Sequence, residues 1–172
     1  SDSTKNDLVA HGFSEDAVTV IPLGITVPGN IVPYPKESRP TLIFLGRLHK
    51  LKGAMDAVDS LIAIKKHIPD TRLWFAGSGR PKYVQELKKH ARAYSVRNDI
   101  VFHGFVSEER KFELLSRAHI LIVPSVHEGW GLIVSEAAYV GTPSVVYNVP
   151  GLRDVTIHNT TGLVVSPDPK YL

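Results

Sequence analysis

TLIFLGRLHKLKG, residues 41–53, passes from an apolar β-prone run through a basic turn bounded by glycines into the start of a helical pattern. Thr41–Leu45 is apolar without alternation, as expected of a parallel strand covered on both faces. Gly46 and Gly53 let the backbone turn tightly, and Arg47 and Lys52 give the turn fixed positive charge. The same unit recurs along the chain. Val18–Ile21, Arg72–Ala76, Ile100–His103, His119–Val123 and Pro143–Tyr147 read as further strands. Gly53–His67, Lys82–Tyr94, Glu108–Arg117 and Leu132–Val140 carry helical character between them. Ser107 is a good N-cap, with Glu108 and Glu109 placing acids at the positive helix end. Repeated β–α alternation predicts an α/β fold: a doubly wound, Rossmann-like parallel sheet with helices on both faces. Gly29–Pro40, with Pro33, Pro35 and Pro40, breaks the rhythm and reads as a surface loop between an N-terminal lead-in and the main sheet.

The 172 residues fit a single domain, residues 1–172, able to bury a sizeable core. A hydrophobic fraction of 43% and a charged fraction of 22% are ordinary for a globular protein. No run approaches the roughly 18 apolar residues of a spanning helix, and the polar stretch Ser1–Asp7 lacks the apolar core of a signal peptide. The absence of cysteine excludes disulfides and thiolate metal sites and fits a cytoplasmic protein. A formal charge of +3 suits an anionic ligand or an anionic membrane surface, and no nucleic-acid-binding signature accompanies it. Pro167 and Pro169 follow the last apolar run, Gly162–Val165, with no closing helix after them, so a truncated chain is expected.

Two constellations carry chemistry. In the turn of residues 46–53, Arg47 offers a planar fork and Lys52 a point charge, a pair suited to a diphosphate; a solvated basic loop is the plainer alternative. The spacing is not that of a P-loop. In the second, PSVHEGWGLIVSEA (residues 124–137), a carboxylate sits in a loop, two glycines follow, and a second carboxylate lies inside a helix. The free amides of Gly131, Leu132 and Ile133 at that helix start make an anion site. Glu128 and Glu136 would stand roughly 12 Å apart if the whole span were helical. Ionised carboxylates accept hydrogen bonds from hydroxyls, so a nucleotide sugar fits: hexose near Glu128, diphosphate on the amides, ribose near Glu136. The alternative makes Glu128 a surface loop acid and Glu136 an exposed helix residue. FAGSGRP, residues 75–81, is favoured as a structural turn, and His127 reads as a loop residue. Eight histidines form no metal-ligand pattern, and no D-x-D pair is present. No G-x-S-x-G elbow supports a serine hydrolase.

Taken in order, these motifs resemble the C-terminal donor-binding domain of a retaining GT-B glycosyltransferase, of the group 1 type known as glycosyltransferase family 4. Glu128 through Glu136 is similar to that family's E-x7-E motif, and Arg47 and Lys52 match its phosphate-binding loop. Val20–Ile25 resembles the I-P-N-G-V-D entry segment, Gly77-Ser78-Gly79 the glycine turn, and Glu136 to Pro143 the E-A-x-A-x-G-x-P segment. Asn148–Gly151 and Thr161–Val164 fit the closing segments. The resemblance runs from about Ser3 to Val165. It implies two facing Rossmann-like domains with the active site between them, of which the acceptor-binding N-terminal domain and a C-terminal closing helix are missing here. Arg47 and Lys52, with the amides near Gly131, Leu132 and Ile133, would stabilise the departing diphosphate. Glu128 would hold the donor sugar and Glu136 the ribose. Gly77 would border the donor, and the backbone of Val106 would meet the base. The implied reaction transfers a hexosyl group from a nucleoside-diphosphate sugar to a sugar, glycan or lipid-linked acceptor. It needs no metal or other cofactor, and the full-length enzyme could touch the cytoplasmic face of a membrane. The fragment alone is expected to be inactive in transfer. Trp130 stands where the family commonly has Phe, Leu23 where it has Asn and Thr26 where it has Asp. A non-catalytic nucleotide-binding or regulatory module of the same fold, or a sugar-nucleotide epimerase, are the competing readings; the joint presence of Arg47, Lys52, Glu128 and Glu136 favours transfer.

Overall fold

Among the described residues, six parallel strands form one sheet in the order β3-β2-β1-β4-β5-β6. They are β1 Thr41–Leu45, β2 Arg72–Ala76, β3 Ile100–Gly104, β4 Ile120–Val123, β5 Ser144–Tyr147 and β6 Gly162–Val165. The helices are α1 Asp2–Ala10, α2 Ala54–Ile64, α3 Pro81–Ala93, α4 Glu108–Arg117, α5 Leu132–Tyr139 and α6 Leu152–Val155. The computed structural model describes residues 1–29 and 34–172. Pro33, part of the expected loop, lies outside the described residues.

The pleat explains why the central strands are apolar throughout. Successive side chains point to opposite faces, so Leu42 and Phe44 of β1 join Leu73 and Phe75 of β2 in a core beneath α2 and α3. Ile43, Trp74 and Ala76 face the other way and pack with Phe112 and Leu115 of α4, Val134 and Ala137 of α5, and Leu152 of α6. Leu61, Leu73, Leu87, Leu115 and Leu121 have no solvent exposure, and each such side chain contributes about 1.5–3 kcal/mol relative to an exposed position. Both faces of the sheet are thereby covered, and its two edges of loops are left to the solvent.

Most expected elements are present, with ends that agree or move by up to three residues. α2 starts after Gly53, whose left-handed backbone (φ 69°) caps a short 3-10 turn at Lys50–Lys52. Val18–Ile21, expected as a strand, pairs with no strand among the described residues, and Ile21 is 78% exposed. β-propensity reflects packing against neighbours, so a β-prone run without a neighbour makes no strand. Two helices escaped the sequence reading. α1 is polar from Asp2 to Asp7 and is held by a serine cap, Ser1 Oγ accepting from Thr4 N–H at 3.2 Å. α6 has four residues, too few to display a period. The two meet: Ser3 Oγ donates to Asp154 Oδ1 at 2.9 Å, and Asp154 Oδ2 accepts the Gly151 N–H at 3.2 Å. Tyr34–Pro40 is strapped to the opposite edge of the sheet. Lys36 Nζ donates to the Ala118 carbonyl and to Thr142 Oγ1, both at 2.7 Å, and Glu37 pairs with Arg72 and Arg117.

Just past the strands, the β1 and β2 turns touch. Gly46 N–H donates to the Ala76 carbonyl at 2.9 Å, and Gly77 N–H to the Gly104 carbonyl at 2.7 Å. At Gly77 φ is 136°, and a Cβ there would fall onto the Gly46 carbonyl. Gly77→Ala is therefore expected to destabilise the fold by about 3 kcal/mol or more, from strain and clash together. Gly104→Ala, at φ 71° with open space around it, is expected to cost about 1 kcal/mol. Urea denaturation of the two variants measures the difference.

Candidate functional site

The strand order reverses between β1 and β4, and the loops that leave the C-terminal ends of β1, β2, β3 and β4 surround a cavity of about 670 Å³. Open α/β sheets bind ligands at this position. All nine residues singled out in the sequence line it: Arg47, Lys52, Gly77, Val106, Glu128, Gly131, Leu132, Ile133 and Glu136. His127 does not; it is exposed and faces elsewhere.

The β1 loop is braced before any ligand arrives. Leu48 is buried, its N–H donates to the Ser78 carbonyl at 2.8 Å, and His49 Nδ1 accepts the Leu51 N–H at 3.2 Å. These contacts fix the turn that presents Arg47 and Lys52. The β4 loop is tied to it, Val126 N–H donating to the Leu51 carbonyl at 3.0 Å. Across the loops, Lys52 Nζ donates to Glu128 Oε2 at 2.6 Å, with both side chains only partly exposed. The backbone of Glu128 and Gly129 lies against Gly151, where a Cβ would strike the Glu128 carbonyl. The start of α6 thus serves as the floor on which Glu128 rests.

α5 opens at Gly131, in left-handed conformation at φ 89°. Val134 N–H closes back onto the Gly131 carbonyl at 2.9 Å, and the amides of Leu132 and Ile133 precede any possible intrahelical bond. The helix starts only here, so the distance derived for an all-helical Glu128–Glu136 span does not apply: Glu128 belongs to the loop and Glu136 to the helix. Nor is Glu136 an exposed helix residue. Its side chain is 13% exposed, and its Oε1 accepts from Lys111 Nζ at 2.8 Å.

Lys111 is the site residue that sequence reasoning missed. It lies on α4, lines the cavity, and also donates to Glu108 Oε2 at 2.7 Å. Burial disfavours its charge, but the hydrogen bonds and charges of Glu108 and Glu136 outweigh burial and hold the ammonium above the ordinary lysine value. In the sequence, Glu108 and Lys111 read as an i,i+3 surface pair, a commonplace of solvated helices. Only the packing of α4 against α5 reveals the second carboxylate. Phe105, 87% exposed in the strand-end turn that also carries Val106, is a further cavity residue.

The cavity therefore offers Arg47, Lys52 and the first amides of α5 to an anion, with a carboxylate on either side able to accept from hydroxyls. Among the described residues, no three His, Asp or Glu side chains gather as a metal site, and no helix is long and apolar enough to cross a membrane.

Residues 32–171 match the family model of the glycosyl transferases group 1. The D-inositol 3-phosphate glycosyltransferase of Xylanimonas cellulosilytica is 32% identical over 92% of this chain and 42% of its own length. A glycogen synthase of Mycobacterium tuberculosis is 33% identical over 77% of this chain and 32% of its own. The chain thus spans less than half the length of these relatives. Among solved structures, Anabaena Alr3699/HepE in complex with UDP and glucose superposes with a TM-score of 0.82 at 19% identity, covering 99% of this chain and 49% of that one. The sheet, its covering helices and their order are those of a GT-B glycosyltransferase domain.

The floor beneath Glu128 can be tested directly. Gly151→Ala must push the Glu128–Gly129 backbone away, so it is expected to raise hydrogen–deuterium exchange in residues 126–131 and lower the melting temperature. Exchange in β1–β3 should stay at the wild-type level.

Proposed function

The chain belongs to the group 1 glycosyl transferases, and from that membership we propose that it is the donor-binding domain of a retaining, family 4 enzyme. That enzyme transfers a hexosyl group from a nucleoside-diphosphate sugar to a sugar, glycan or lipid-linked acceptor. One observation carries the reading: Arg47, Lys52, the first amides of α5, Glu128 and Glu136 line a single cavity at the reversal point of the sheet. The fold-mate complexed with UDP and glucose supports a donor of this class.

In this reading the diphosphate lies against Arg47, Lys52 and the amides of Gly131, Leu132 and Ile133. Lys52 already donates to Glu128, but an ammonium has three donors, so it can hold a phosphate oxygen without releasing the acid. Glu128 accepts from the hexose hydroxyls and Glu136 from the ribose hydroxyls. Gly77 permits close approach of the donor, and the Val106 backbone meets the base. As the anomeric carbon–oxygen bond breaks, the electron pair leaves with the diphosphate, where preset cations and dipoles stabilise it without a metal ion. The acceptor hydroxyl attacks from the face the diphosphate leaves and passes its proton to the departing phosphate oxygen, which preserves anomeric configuration without the double displacement of retaining hydrolases. The acceptor is bound by a facing domain, and the whole enzyme works in the cytoplasm, in contact with a membrane where its acceptor is lipid-linked.

Calorimetric titration with UDP, GDP and ADP in parallel tests the donor site. One nucleotide is expected to bind saturably, and Arg47→Ala and Lys52→Ala each to weaken it about 10- to 100-fold, the usual cost of a lost hydrogen bond to a charged group. Unchanged melting temperatures would confine the effect to the site. Unaltered affinity in both variants sinks the assignment.

A further inference from the structure

We propose that Lys111 is a positioning residue that fixes the Glu136 carboxylate for recognition of the donor's ribose, an inference that rests on the donor-site reading above. The ion pair crosses from α4 to α5 where both side chains are nearly out of solvent, 11% and 13% exposed, and both line the cavity. Lys111 takes one carboxylate oxygen, Oε1, at 2.8 Å. Among the described residues, Oε2 carries no hydrogen bond, so a complete acceptor remains for vicinal hydroxyls. Free glutamate samples many rotamers, and ordering it on binding weakens affinity. Lys111 imposes that order beforehand. Glu108, whose side chain is 63% exposed, holds the same ammonium from the solvent side at 2.7 Å. The result is a three-membered chain, Glu108–Lys111–Glu136, anchored in water at one end and open to the cavity at the other. The other acid is arranged differently: its partner Lys52 belongs to the phosphate-facing loop and stays available to the ligand. Lys111 places two of its three donors on carboxylates, against one for Lys52, and its bond to Glu136 orients that acid.

The test compares two ligands in one titration series. The nucleoside diphosphate that saturates the wild type (UDP, GDP or ADP) and its 2′,3′-dideoxy counterpart are titrated into wild type, Glu136→Ala, Lys111→Met and Lys111→Arg. The wild type is expected to prefer the ribose form about 10-fold or more, from hydroxyls donating to a carboxylate. Glu136→Ala should abolish that preference. Lys111→Met should cut it to about 3-fold or less with dideoxy affinity unchanged, and Lys111→Arg, which keeps a cation beside Glu136, should restore most of it. Equal weakening of both ligands in Lys111→Met, or a full preference retained, overturns the inference. Should Lys111→Met not fold, Glu108→Gln loosens the same ammonium from the exposed end; a several-fold drop in preference supports the inference, and an unchanged preference overturns it. A wild type that binds both ligands alike, or binds no nucleotide, fails at the donor-site reading itself and takes the inference with it.

Discussion

β1 hydrogen-bonds to β2 on one side and to β4 on the other, and the chain reverses its direction of travel across the sheet between them. Loops leaving adjacent strands toward opposite faces must part, so a crevice opens between them. Everything else at this edge follows from that parting. The β1 turn can be braced against the β2 turn, Gly46 on Gly77, because both leave toward the same face. The β4 loop, leaving the other way, needs its own support, which it finds in Gly151 and α6. The crevice is thus a gap between two independently supported walls, joined at the Val126–Leu51 backbone bond and the Lys52–Glu128 pair.

The charges in the crevice are arranged so that few are wholly unopposed. Lys52 answers Glu128, and Lys111 answers Glu136. A half-buried carboxylate without a counter-ion would be costly to keep ionised, and a half-buried cation equally so. Arg47, exposed, can keep its charge in water until an anion displaces that water. Pairing of this kind tolerates a site rich in charge without strong repulsion.

The fold was legible because its signals were local. Strands such as Leu42–Leu45 and Leu73–Ala76 are apolar at every position, which only a sheet covered on both faces explains. Arg47, Lys52, Glu128, Glu136 and the helix start at Gly131, Leu132 and Ile133 were legible as candidates because strand-end turns with glycines and charges are short in sequence, whereas Gly77 and Val106 entered through the family resemblance. Lys111 was hidden because its decisive partner, Glu136, is 25 positions away. Val18–Ile21 misled for the converse reason: its composition is that of a strand, and a strand needs a neighbour. Sequence pattern reports what a residue prefers; contact between distant elements decides what it does.

The chain contains two tryptophans, and the fold has put them to opposite uses. Trp74 is 5% exposed among the aliphatic side chains of the sheet's core, edge-on to His103. Trp130 lines the crevice, and among the described residues its buried indole N–H has no acceptor. One indole senses the integrity of the core, and the other borders the space a ligand enters. Trp130 is accordingly placed where filling the crevice would change its surroundings, while Trp74 is sheltered from that change inside the core.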